Sequence, residues 1–121
     1  MRAFILLGGA LLLIALPAAG GGQLAMRVAP AYAYEPATLT IQLSIEPDSS
    51  NRAVRVIAES AGFYRSSEIE LHRDLAPRTC EFRYRSVPAG VCDVRGVLIG
   101  SDGRIRAVVN RSVTVIAAAG R

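Results

Sequence analysis

Few side chains in this chain could do chemistry. Its single histidine, His72, stands two residues before Asp74. In an extended segment the two would share a face, and the carboxylate could orient the imidazole as a base for one of the serines. No nucleophile elbow or neighbouring motif completes that arrangement, and a polar, solvent-facing crossing loop accounts for both residues. Cys80 and Cys92 with one histidine and no regular spacing do not make a tetrahedral metal site. Pro47-Asp48-Ser49-Ser50-Asn51 is rich in side-chain oxygens but lacks a complete calcium-ligand spacing, and reads as a turn. Neither paired carboxylates nor a nucleophile with its base can be picked out. The expectation is a non-enzyme that needs no cofactor.

Binding groups are easier to find. Arg83 and Arg85 are expected on one outer face, where Arg55 could join them beside Glu59 and Glu81, and Arg95 and Arg106 on the other near Glu68, Glu70 and Asp93. Both charged faces are therefore mixed in sign and read as solvated surface. Val97 and Ile99 point outward by parity beside Val108, which predicts an apolar patch suited to an interface. The segment Gln23–Tyr34 could instead cover that patch. A second candidate surface is a loop end carrying Ser60–Tyr64, Arg78 and Ser101–Arg104. The candidate partner-binding residues are therefore Val97, Ile99, Val108, Tyr64, Arg78, Asp102 and Arg104, with the patch favoured over the loops.

The elements that must position these residues are strands. Thr79–Arg106 organises the chain, as two strands joined at Val87-Pro88-Ala89-Gly90 and a third reached through Ser101-Asp102-Gly103. Cys80, Phe82 and Tyr84 alternate with Glu81, Arg83 and Arg85, and Cys92, Val94 and Leu98 alternate with Asp93 and Arg95. Pro88 fixes φ and Gly90 accepts positive φ, so the chain turns there. Upstream, Leu39, Ile41, Leu43 and Ile45 face one way, then Val54, Val56 and Ala58, then Ile69 and Leu71. Ile105, Ala107 and Val109 share a face opposite Arg104 and Arg106, and a parity break at Asn110-Arg111 predicts a bulge. Six or seven short strands with turns at short intervals argue for one antiparallel all-β sandwich. If strand 79–86 lies antiparallel to both 52–58 and 90–99, the chain must return along the sandwich between Leu71 and Thr79.

The first 25 residues carry a different message. Arg2 precedes an uninterrupted apolar run, Ala3–Leu16, and Pro17-Ala18-Ala19-Gly20 offers the small residues of a signal-peptidase site. Residues 1–25 are expected to be a cleaved signal peptide, with an uncleaved membrane anchor as the alternative. Residues 26–36 read as a linker, 37–116 as the domain and 117–121 as a tail. Either reading of the leader implies export, to the periplasm or the medium, tethered to the membrane if the leader stays. The net charge is +4, and every basic residue is arginine. No basic cluster is interleaved with stacking aromatics, so nucleic acid is not the expected partner.

Val87-Pro88-Ala89-Gly90-Val91-Cys92-Asp93-Val94 resembles the corner between strands E and F of fibronectin type III and related immunoglobulin-like domains. A tyrosine commonly stands in those families where Cys92 stands here. The resemblance covers Thr38–Ile116 and implies an immunoglobulin-like sandwich that works by binding a protein partner in the envelope or outside the cell. A structural subunit that self-associates through edge strands is the alternative, and a small hydrolase a distant third.

Overall fold

The computed structural model describes residues 23–71 and 79–118. The apolar leader, His72, Asp74, Arg78 and residues 119–121 lie outside them. The described chain forms eight strands: β1 (Leu24–Ala29), β2 (Tyr32–Tyr34), β3 (Ala37–Ile45), β4 (Asn51–Ser60), β5 (Phe63–Glu70), β6 (Thr79–Val87), β7 (Gly90–Gly100) and β8 (Ile105–Ile116). They build two sheets, ordered β1-β3-β6 and β2-β8-β7-β4-β5. All pairings are antiparallel except β2 with β8.

Alternation in the sequence becomes burial in the structure. Along β3 every second side chain from Ala37 to Ile45 is buried. Opposite it, Val54, Val56 and Ala58 of β4 and Cys92, Val94 and Leu98 of β7 join the same apolar cluster, with Tyr84 and Cys80 of β6. This shared core, sealed between two sheets, is the hydrophobic reason for the two-layer arrangement. At Gly96 the sheets approach closely: a Cβ there would lie 3.1 Å from the Leu43 and Val109 side chains and 3.3 Å from Met26 Sδ.

Several expectations change. The stretch read as a linker, 26–36, is not one: most of β1 and all of β2 fall within it, and Leu24 and Met26 belong to the core. Between those two strands the chain leaves one sheet and enters the other. Strand 79–86 pairs with neither 52–58 nor 90–99; among the described residues β6 pairs only with β3, while β4 pairs with β5 and β7. The Val87–Gly90 link is therefore an arch from one sheet to the other.

No bulge sits at Asn110-Arg111, where β8 stays in register with β7. Arg111, although its position in the alternation is an inward one, is exposed, with its guanidinium folded onto Asn110 O. The irregularity in β8 falls at Arg106 instead, since Leu98 faces Ala107 and Ile99 faces Ile105. The extra residue turns Ile105 outward and Arg106 toward the sandwich interior. A second bulge, in β6, places Arg85 and Ser86 opposite Thr38, and Ser86 adopts φ 61°.

Candidate interaction surface

The outer face of the five-stranded sheet is built by register, and its rows can be read from the pairings. One row runs Glu68–Arg55–Val97–Val108 across β5, β4, β7 and β8; the next is Ser66–Ile57–Arg95–Asn110, and then Tyr64–Glu59–Asp93–Ser112. Beyond these, Val91, Thr114 and Tyr32 lie side by side, followed by Ile116 and Tyr34. Neighbours in a row are about 4.8 Å apart.

Val97 and Ile99 do occupy this outer face, but they are only 6% and 7% exposed and form a small buried cluster with Ala53. The expected exposed patch is thus not available there. Parity assigned the face correctly; it gives a side chain's direction and not its exposure. Val108 beside them remains 38% exposed. The segment 23–34 does not cover this cluster, because β2 joins β8 only at Thr114–Ile116, six residues further along.

Exposed apolar area lies at the other end of the same face. Tyr32 is 71%, Tyr34 65%, Val91 58% and Ile116 41% exposed, and all four occupy adjacent rows. Their signal in the sequence is the Tyr32-Ala33-Tyr34 alternation, too short to stand as a strand without β8 beside it. Between this cluster and exposed Tyr64 runs an open polar depression lined by Glu59, Asp93, Arg95, Asn110 and Ser112. Asp93 Oδ1 accepts from Ser112 Oγ at 3.0 Å.

The expected single loop end is also divided. Tyr64 belongs to the β4–β5 hairpin, near the start of β7, where Glu59 faces Asp93. Asp102 and Arg104 belong to the β7–β8 turn at the far end, where Asn51 faces Gly100. Arg78 lies outside the described residues. Asp102 is occupied within its own turn, accepting from the Arg104 N–H at 2.9 Å. The segment that does join the β7–β8 turn is Glu46–Asn51: Ser101 N–H donates to Ser50 O at 2.7 Å.

A polar plug closes that end of the sandwich. Buried Asn51 accepts from Arg106 Nη1 at 2.6 Å and donates through Nδ2 to Glu46 O at 3.0 Å. Arg106 Nη2 lies 3.5 Å from Asp48 Oδ2. Gln23, oriented to satisfy both partners, donates to Arg106 O and accepts from Arg106 Nη2. The Ser50 N–H, 2.7 Å from Asp48 Oδ1, holds the Asp48 carboxyl below its ordinary pKa.

The charged surface differs from expectation in its pairing. Arg55 does not join Arg83 and Arg85; it lies on the other sheet and pairs with Glu68 at 2.8 Å. Arg83 pairs with Glu81 on its own strand at 3.3 Å. All of these side chains are exposed, so each pair contributes little to stability. Among the described residues no cluster of histidine, cysteine and carboxylate side chains could hold a metal ion.

No family model matches the chain, and no curated protein does. Among solved structures, the superoxide reductase (neelaredoxin) from Ignicoccus hospitalis is similar over 77% of this chain and 80% of its own, with a TM-score of 0.60 and 8% sequence identity. At that identity the likeness is one of fold alone: two β-sheets packed face to face, with no chemistry carried across.

Proposed function

We propose that this chain is an exported, non-catalytic, immunoglobulin-like binding module for a protein partner in the envelope or outside the cell. The strand order supports the family reading. With β3 and β6 as strands B and E of one sheet, β4, β5, β7 and β8 take the places of C, C′, F and G in the other. The Val87–Gly90 arch then stands at the E–F corner, where the sequence resemblance puts it. The Ala3–Leu16 run supports export.

The observation that carries the binding role is the cluster of Tyr32, Tyr34, Val91 and Ile116 on one face, each well exposed. Aromatic side chains offer large contact area at low entropic cost, which suits the centre of an interface. Replacing Tyr32 and Tyr34 by serine tests this reading. The expected result is an unchanged far-ultraviolet spectrum with loss of partner capture from the envelope fraction or medium. Capture equal to that of the wild type removes the cluster from the interface. A second reading, a subunit that assembles through its edges, draws support from the length of β8 that, among the described residues, no strand pairs on the side away from β7.

A further inference from the structure

The unpaired part of β8 has the form of a strand-acceptor ledge. β2 pairs with β8 only from Thr114 to Ile116. Among the described residues no strand pairs with the same side of β8 from Val108 to Ser112, a run of about 16 Å at strand spacing, whereas Arg106 O before it is taken by the Gln23 side-chain amide. The direction of its backbone groups follows from a single contact. Thr114 N–H donates away from β7, to Ala31 O at 3.0 Å. Strand alternation then turns the N–H and C=O of Ser112, Asn110 and Val108 toward the same open side.

Arg111 marks the site further. Its side chain folds back so that Nη1 donates to Asn110 O at 2.7 Å, occupying one of those outward carbonyls. A charged side chain at a sheet edge is a known way of discouraging indiscriminate edge pairing. It also selects: a strand that displaces this bond leaves an exposed guanidinium beside it. A second copy of this chain would bring another Arg111 to the ledge, within a protein of net charge +4, and like charge opposes that pairing. A carboxylate-bearing strand would be attracted.

The geometry points to β8 from Val108 to Ser112 as the docking edge for an extended acidic segment of a partner protein, added as a further strand and selected by Arg111. The inference rests on the binding-module reading and names the chemistry of the partner. Main-chain hydrogen bonds from Val108, Asn110 and Ser112 would supply attachment, and exposed Val108 apolar contact.

The test uses the exported chain and two eight-residue probes, one alternating threonine with glutamate and one alternating threonine with lysine. The acidic probe is expected to bind at least about tenfold more tightly and to slow amide exchange at Val108, Asn110 and Ser112. Asn110→Pro removes an outward N–H that takes no part in pairing with β7, so it should abolish binding while the spectrum of the fold persists. Arg111→Glu, which leaves the backbone untouched, should reverse the preference between probes.

Equal binding of the two probes, no binding of the acidic one, or undiminished binding by Asn110→Pro would each overturn the proposal. So would protection of those three amides in the free chain, or a dimer broken by Asn110→Pro with no affinity for either probe. The Tyr32 and Tyr34 replacements leave the ledge intact, so failure of strand addition and failure of the apolar cluster are read separately.

Discussion

The Tyr84 hydroxyl of β6 donates to Ser67 Oγ of β5 at 2.8 Å, joining the margins of the two sheets through the interior. The tyrosine ring is buried and its oxygen also approaches Val56 O. Tyr84→Phe keeps the ring and removes the donor. It is expected to cost about 0.5–1.5 kcal/mol, the ordinary net worth of such a bond. Ser67→Ala should cost a similar amount, and the double replacement less than the sum, as read by urea unfolding.

Asn51 is the buried polar residue on which the plug at the β7–β8 turn depends. Asn51→Ala removes the donor to Glu46 O and the acceptor of Arg106 Nη1. The expected loss is about 1–3 kcal/mol, measured by denaturant midpoint. Asn51→Asp should be tolerated better, because its carboxylate still accepts from Arg106.

Asp48 makes that same end sensitive to acid. Its carboxyl is held down in the folded chain, first by the Ser50 N–H. A lowered folded value means stabilisation present above the unfolded pKa and lost as pH falls through the folded one. The loss therefore begins below the ordinary value of 3.8. Thermal unfolding of the wild type and of Asp48→Asn should converge as the pH falls from about 5 to about 2. A constant difference across that range would refute the assignment.

Cys80 and Cys92 are buried and unbridged, on different sheets. Burial raises the pKa of both thiols, which keeps them as poorly reactive neutral groups. Alkylation by iodoacetamide should be slow in the native chain and fast in denaturant, with both sites modified and no prior reduction required. A native mass lower by two hydrogens would contradict the structure.

The fold was most legible where apolar residues alternate over a long run. Leu39, Ile41, Leu43 and Ile45, and Val54, Val56 and Ala58, face the core as their spacing requires. Partnership between strands was not legible, because alternation says which way a side chain points and nothing about which sheet receives the strand. That is how Arg55 came to be expected beside Arg83, when its neighbour is Glu68 on β5. β1 and β2 were missed for a related reason: Ala29-Pro30-Ala31 breaks the alternation just where the chain changes sheets.

The candidate surface suffered from the limits of parity. Ile105 and Arg106 exchange faces because the bulge inserts a residue that no local pattern announces. Val97 and Ile99 were assigned the right side, but alternation alone does not say how much of a side chain solvent reaches. Tyr32 and Tyr34 gained significance only when their pairing with Thr114–Ile116 put them in line with Val91.

Glu35 gives the molecule a mechanical character. One carboxylate oxygen accepts from the Ala89 N–H at 3.1 Å and the other from the Ala118 N–H at 3.2 Å, while its own N–H donates to Ile116 O at 2.8 Å. The arch between sheets, the β2–β3 bend and the residues after β8 therefore share one anchor. A load applied at the C-terminal end is delivered to all three at once, so the last strand cannot be peeled away without first breaking this clasp.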